Sequence, residues 1–218
     1  MKAIVIGATG ATGKELVQLL LDSSQFKEVI ALVARPKLSP HDKLKQIVVD
    51  FSNLDDWKDY IQGDVAFSCL GTTLKTAGSK EAQWIVDHDY QYNFARICEE
   101  QNINTFVLLS STNANVKSSL FYSKMKGETE QDVESLLFER LIIVRPGMLD
   151  RPNSDRLGEK IVCSLIKSFN KIGLMRKYAP TKVSDLAYVL LESTKIFTNN
   201  MNIISSNQIA EIISQRKS

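Results

Sequence analysis

The sequence predicts a doubly wound α/β fold, in which helices cover both faces of a parallel sheet. Six short apolar runs rich in β-branched residues support this: KAIVIG, EVIALVA, QIVVD, DVAFSCL, NTFVLLS and RLIIVRP. Their hydrophobicity is continuous rather than alternating, which indicates strands that are buried on both faces. Segments of helical period separate them, and alternation of strand and helix is typical of parallel sheets.

The clearest helices are predicted at residues 10–22, 82–101 and 120–137, where apolar residues recur at three- and four-residue spacing. After Pro146 we expect a loop at residues 152–155, a helix at residues 160–169, and a later helix capped by Ser184 and Asp185. We expect a single domain over residues 1–218, with residues 150–182 as a small C-terminal lid. The tail QRKS is expected to fray.

Composition indicates an ordinary globular protein, with 44% apolar and 24% charged residues. A net charge of +2 argues against a nucleic-acid surface and favours small-molecule partners. Cys69, Cys98 and Cys163 have no CxxC spacing, which suits buried thiols in a reducing cytoplasm. No apolar run approaches membrane-spanning length, so we expect a cytoplasmic protein without a membrane partner.

The first strand leads directly into a glycine-rich turn and a helix, in the stretch KAIVIGATGATGKELVQLLL. N–H groups at the positive end of such a helix can bind pyrophosphate, so this turn is a predicted dinucleotide site. Its candidate cofactor-binding residues are Gly7, Thr9, Gly10, Ala11, Thr12 and Gly13. The spacing is GxxGxxG rather than the standard GxGxxG, and the glycines could instead serve only a tight strand–helix connection. Because no GK[ST] follows, Lys14 is not a P-loop lysine and ATP hydrolysis is disfavoured.

Residues after the second and third strands bear on which dinucleotide binds. NAD-binding proteins usually place a carboxylate after the second strand, whereas this chain has Arg35 and then Lys37. A cation there suits a 2′-phosphate, so NADP(H) is preferred over NAD(H), although Arg35 could simply be solvated at a strand end. Asp50 and Phe51 could hold the base, or could be a helix cap and a core ring.

Two further stretches carry candidate chemistry. CLGTT ends the fourth strand at the sheet edge where ligands bind in open α/β folds, and Gly71 there permits close backbone approach. Cys69 is expected to be a core residue rather than a nucleophile. FYSKMKGETE places Tyr122 and Lys126 one helical turn apart, which fits a proton-transfer dyad but also an ordinary surface helix.

With these motifs in this order, the sequence resembles the short-chain dehydrogenase/reductase superfamily, and within it the atypical, HIV Tat-interacting oxidoreductase-like NAD(P)-binding branch. The resemblance runs from Lys2 to Glu159 through GATGATG, DVAFSCLGTT, KTAG, VDHDY, FVLLSSTNA, YSKMKGE and VRPGMLDRP. It implies a Rossmann-like fold, a nicotinamide cofactor and the YxxxK pair as the central catalytic residues.

Carried onto this sequence, the resemblance implies that Tyr122 and Lys126 form the YxxxK pair and that Ser110 is the family's serine after the fifth strand. Ser111 and Thr112 are neighbouring hydroxyls that could take the same role. The resemblance also implies cofactor contacts at Leu70, Gly71, Leu149 and Arg156.

One departure concerns Asp87, which stands where many superfamily members have an asparagine. A carboxylate cannot donate a hydrogen bond as an amide does, so a proton relay through this position is in doubt. The neighbouring His88 is expected to be a solvated helix residue rather than a metal ligand or catalytic group.

The sequence therefore predicts an NADP(H)-dependent oxidoreductase, in which Tyr122 exchanges a proton with a small carbonyl or alcohol substrate while Lys126 favours the phenolate and Ser110 steadies the substrate oxygen. The expected pocket residues include Met148, Leu149, Leu157, Ile161 and Leu174. Their apolar side chains favour an uncharged or hydrophobic substrate, or they could instead pack the core of the lid.

An NADP(H)-binding redox-sensing regulator with little turnover is the alternative function. A sugar-nucleotide epimerase or dehydratase is less consistent with so small a C-terminal portion. The long helices also permit a homodimer.

Overall fold

The computed structural model describes residues 1–53, 56–150 and 180–217. Its strands are β1 (Lys2–Ile6), β2 (Glu28–Val33), β3 (Leu44–Val48), β4 (Val65–Ser68), β5 (Thr105–Leu109), β6 (Arg140–Val144), β7 (Leu149–Asp150), β8 (Thr181–Lys182) and β9 (Met201–Ile204). Its α-helices are α1 (Ala11–Asp22), α2 (Leu74–Ala77), α3 (Lys80–Trp84), α4 (Tyr90–Glu100), α5 (Phe121–Glu134), α6 (Val183–Ile196) and α7 (Ser206–Lys217). A π-helical turn at Ile85–Asp89 joins α3 to α4, and Lys58–Tyr60 form a 3₁₀ turn.

Seven of the described strands form one parallel sheet in the order β3-β2-β1-β4-β5-β6-β9. The chain builds outward from β1 to β3, then crosses to β4 and builds outward on the other side. The topological switch point therefore lies between β1 and β4, which is where open α/β sheets bind ligands. The predicted fold class is confirmed.

Strand residues alternate between two apolar layers, one on each face of the sheet. Ala3 and Val5 belong to the cluster that includes α1 and α6, whereas Ile4 and Ile6 belong to the cluster that includes α4. Both layers are buried, which explains why the strands have continuous rather than alternating hydrophobicity.

Several predictions of secondary structure are wrong in detail. The helix expected over residues 82–101 is divided by the π-helical turn, and strand β9 was not predicted. Lys182, not Ser184 or Asp185, is the N-cap of α6, and no side chain caps it. Helix α7 includes residues 215–217 of the tail, and Arg216 lies over the ring of Tyr188, 4.4 Å from its centroid.

The expected loop at residues 152–155 and the expected helix at residues 160–169 lie outside the described residues, as do Leu157, Ile161 and Leu174. Of the expected lid at 150–182, the structure describes only the two ends. There, β7 and β8 pair in parallel, with Leu149 opposite Thr181. Among the described helices none is both long enough and apolar enough to cross a bilayer.

Candidate functional site

A cavity of about 770 Å³ lies at the carboxyl ends of β1, β4 and β5, beside the switch point. Its volume is typical of small-molecule sites. Walls are formed by the turn before α1, the CLGTT stretch, the end of β5, the start of α5 and the residues after β6. The predicted site residues that line it are Gly10, Ala11, Thr12, Leu70, Gly71, Ser110, Tyr122, Lys126 and Leu149.

The glycine-rich turn brings β1, α1 and the CLGTT stretch together through main-chain atoms. Gly7 has φ +72°, and a Cβ added to it would lie 2.3 Å from the carbonyl carbon of Cys69. A Cβ on Gly13 would lie 2.1 Å from the Gly7 oxygen. Any side chain at either position would force these segments apart. Thr9 belongs to the same turn but is not among the residues that line the cavity.

Helix α1 begins at this turn without a side-chain cap on its first N–H groups. Ala11 and Thr12, in its first turn, line the cavity. Uncapped N–H groups at a helix N-terminus attract anions, because the helix dipole and the free donors act together. This end of the cavity can therefore hold the phosphates of a dinucleotide.

Ser110, directly after β5, lines the same cavity. Its backbone N–H donates to the Val144 carbonyl at 2.8 Å, which fixes its position. Its Oγ is buried and, among the described residues, is the one buried side-chain oxygen or nitrogen without a hydrogen-bond partner. A buried hydroxyl without a partner costs about 1–3 kcal/mol, so this orphaned atom fits a site that is completed by a ligand.

Tyr122 and Lys126 lie on the cavity side of α5. Tyr122 is 42% exposed, whereas Lys126 is only 3% exposed. A lysine on the solvent-facing side of a surface helix would not be buried in this way. The structure therefore disfavours the surface-helix interpretation for the pair.

Lys126 is paired with Asp87, and both side chains are buried. The Lys126 Nζ lies 3.5 Å from Asp87 Oδ1. Asp87 Oδ2 accepts a hydrogen bond from the Thr72 N–H at 2.8 Å. Asp87 thus holds both the lysine of the YxxxK pair and the CLGTT stretch, a role that the sequence alone did not reveal.

The π-helical turn that carries Asp87 is attached to α5 by two further contacts. The Thr129 hydroxyl lies 3.3 Å from the Asp87 carbonyl oxygen, and His88 Nε2 lies 2.9 Å from Asp132 Oδ2. His88 Nδ1 lies 2.8 Å from Asp89 Oδ1. The expectation of a solvated His88 is wrong, because these carboxylates and the Trp84 ring, 4.8 Å away, enclose it. The described residues contain no cluster of three or more potential metal ligands.

Helix α5 is fixed along its length by Gly127, which follows Lys126 directly. A Cβ at this position would lie 2.3 Å from the Val116 nitrogen and 2.5 Å from the Asn115 carbonyl carbon. The helix therefore packs directly on the backbone of the preceding loop. A glycine inside a predicted helix is itself a sequence signal of such close packing.

The other predicted cofactor residues do not line the cavity. Arg35 is exposed after β2, and neither Arg35 nor Lys37 is ion-paired to any described residue. Gln46 Oε1 holds the same turn by accepting the N–H groups of Lys37 and Leu38 at 2.9 and 3.0 Å. Arg156 lies outside the described residues.

Asp50 and Phe51 have local structural contacts. The Asp50 carboxylate accepts hydrogen bonds from the Ser52 hydroxyl and N–H, at 2.6 and 2.9 Å, which lower the pKa of Asp50. Phe51 is buried against Tyr90, with ring centroids 5.7 Å apart. The structure therefore favours the alternative for Phe51, a core ring, over contact with a base.

Cys69 and Cys98 are buried, as expected, and burial raises the pKa of Cys69 to about 12 and that of Cys98 well above its ordinary value. Both thiols should therefore stay protonated and unreactive near neutral pH. We expect iodoacetamide to label neither residue in the native protein, and to label both in urea. Peptide mass spectrometry would measure this, and rapid native labelling of Cys69 would contradict it. Cys163 lies outside the described residues.

Comparison with known families agrees with this geometry. A family model described as NAD(P)H-binding matches residues 7–170. The chain belongs to this NAD(P)H-binding family. Its relatives include HTATIP2 of Rattus norvegicus, 41% identical over 71% of the chain, and FMP52 of Eremothecium gossypii, 38% identical over 68% of the chain. The match spans 66% of the length of each of these relatives. The resemblance to the HIV Tat-interacting oxidoreductase-like branch is confirmed.

Solved structures that share little sequence identity with this chain have the same fold. MoeE5 in complex with UDP-glucose and NAD has a TM-score of 0.72 and 16% identity, over 99% of this chain and 82% of that one. At this identity the likeness concerns the fold alone.

The expectation of a cytoplasmic protein is overturned by the names of the relatives. The FMP52 proteins of Eremothecium gossypii, Debaryomyces hansenii and Saccharomyces cerevisiae are named as mitochondrial. The expectation rested on cysteine usage and on the lack of an apolar run of membrane-spanning length, and neither feature distinguishes the cytoplasm from another reducing compartment.

Proposed function

We propose that the protein is an NADP(H)-dependent oxidoreductase of the short-chain dehydrogenase/reductase type, acting on a small carbonyl or alcohol substrate. The observation that carries this proposal is the buried, unpartnered Ser110 hydroxyl, which lines the same cavity as Tyr122 and Lys126. Three polar groups converge there, and the anion-binding start of α1 lies on the same cavity.

The chain's own residues then have distinct roles. When bound, the nicotinamide would supply or accept the hydride. Tyr122 donates a proton to the carbonyl oxygen during reduction and takes it back from the alcohol during oxidation. Ser110 donates a hydrogen bond to the same oxygen. Lys126 stabilises the tyrosine anion and is a candidate donor to the cofactor ribose, while the N–H groups at the start of α1 hold the phosphates.

The test is a direct one. Purified protein would be examined for bound NADP(H), and then for NADPH oxidation, followed by absorbance, with a panel of aldehydes and ketones. We expect reduction of at least one carbonyl class. Absence of reduction across the whole panel would overturn the proposal.

A redox-sensing regulator is the second candidate, and the buried Asp87–Lys126 pair favours it. Asp87 neutralises much of the charge with which Lys126 would otherwise stabilise a tyrosine anion. A protein of this kind would bind NADPH and turn over little. Tight NADPH binding together with no turnover would support this candidate over the first.

The preference for NADP(H) is proposed to rest on Arg35. Replacing Arg35 with alanine is expected to raise the Kd for NADPH by about tenfold or more, because a hydrogen bond between charged groups contributes about 1.5–3 kcal/mol. Affinity for NADH should not change. Fluorescence titration would measure both constants, with Arg96→Ala as the control, since Arg96 is paired with Glu100 on α4. An NADPH Kd that Arg35→Ala leaves unaltered would refute the assignment.

A further inference from the structure

The start of α3 places a lysine ammonium on the wall of the cavity. Lys80 is exposed and lines the cavity together with Phe121 and Tyr122. Its Nζ lies 5.6 Å from the centroid of the Phe121 ring, within cation–π range. Since Phe121 directly precedes Tyr122, this contact holds the ammonium beside the turn of α5 that carries the tyrosine.

The charge of Lys80 is not compensated by any ion pair within the described residues. The other lysine on the described wall, Lys126, is paired with Asp87. The pKa of Glu81, next to Lys80, is lowered first by hydrogen bonds from its own backbone N–H and from Ser79, and then by the charge of Lys80, with which it forms no ion pair. The described part of the wall therefore carries one net positive charge, near the proton-transfer end.

We propose that Lys80 binds a carboxylate of the substrate, so that the substrate is a small carbonyl compound that also carries an acid group. This inference rests on the proposed oxidoreductase function. It changes the expectation of an uncharged substrate, which considered only the apolar side chains of the pocket. Within the described part of the wall, Lys80 is the one cation that is not paired with a carboxylate, and a lysine ammonium can bind a substrate carboxylate as a compact point charge.

Matched substrates would test the proposal on the NADPH-loaded protein. Benzaldehyde would be compared with its 2-, 3- and 4-carboxy derivatives. We expect kcat/KM for at least one carboxy derivative to exceed that for benzaldehyde by about tenfold. Lys80→Met should abolish that preference by raising KM for the carboxy derivative, and Lys80→Arg should largely preserve it. Lys75→Met is the matched control, because Lys75 is exposed on α2 but does not line the cavity.

A binding measurement separates this proposal from the proposed function. Benzoate would be titrated into the NADPH-loaded protein, with benzamide as its neutral counterpart. If Lys80→Met loses benzoate binding and Lys75→Met keeps it, the anion site is supported. This holds even if no aldehyde is reduced and the oxidoreductase proposal fails. The proposed carboxylate substrate is overturned if kcat/KM is equal for charged and neutral aldehydes and benzoate binding does not depend on Lys80. The oxidoreductase proposal would still stand in that case. Weaker NADPH binding by Lys80→Met would instead assign the lysine to the cofactor and overturn the proposal.

Discussion

A Tyr122→Phe variant is expected to lose carbonyl reduction by about 10²–10⁴-fold, because that is the usual contribution of a positioned proton donor. The change removes one hydroxyl from a side chain that is 42% exposed, so folding should be unaffected. The Kd for NADPH should also be unchanged. Steady-state kinetics and a cofactor titration on the same preparation would measure both quantities.

Lys126→Ala is the informative comparison for this variant. It removes the charge one helical turn along α5 from the tyrosine and also leaves the Asp87 carboxylate buried without its cation. We therefore expect it to weaken cofactor binding as well as turnover, in contrast to Tyr122→Phe. Full activity in Tyr122→Phe would remove the tyrosine from the mechanism.

Replacing Asp87 with alanine is expected to reduce the free energy of unfolding by about 3–5 kcal/mol, the usual cost of removing one partner from a buried ion pair. The reason is twofold: Lys126 would keep a buried charge without a partner, and the Thr72 N–H would lose its acceptor. Urea unfolding followed by circular dichroism would measure the change.

Two companion variants identify the source of this loss. Asp87→Asn keeps an oxygen that can accept a hydrogen bond from the Thr72 N–H, so it should reduce the free energy of unfolding by less than Asp87→Ala does. Combining Asp87→Ala with Lys126→Met removes both charges and should recover part of the stability. A loss of less than about 1 kcal/mol in Asp87→Ala would show that the pair contributes little, as exposed pairs do.

The sequence was sufficient to predict those parts of the fold that depend on patterns among residues close together in the chain. Six sheet strands were predicted from continuous apolar runs, and five of them, all but the edge strand β3, are buried on both faces, as such runs indicate. The glycine turn was predicted because strand, turn and helix are consecutive. Strand β9 was missed because it lies at the sheet edge, where Met201 and Ile203 are partly exposed and Asn202 interrupts the apolar run.

Contacts between residues far apart in sequence could not be predicted in this way. Asp87 and Lys126 are separated by the whole of α4 and β5, and only the fold shows that they meet. The missing partner of the Ser110 hydroxyl is likewise a property of its surroundings rather than of its neighbours in the chain. From the sequence, Phe51 could have been a base contact or a core ring, and its burial in the fold favours the core ring.

The close contact at Gly127 has a consequence for how the site tolerates sequence change. The partners of this glycine are the main-chain atoms of Asn115 and Val116, and every residue type has these atoms. Substitutions at Val116 should therefore leave the placement of α5 largely intact, whereas a change at Asn115 would also remove the side-chain oxygen that accepts the Lys117 N–H. Any side chain at position 127 should shift the helix. The position of the catalytic helix therefore depends on the absence of a side chain at residue 127 more than on the side chain of Val116.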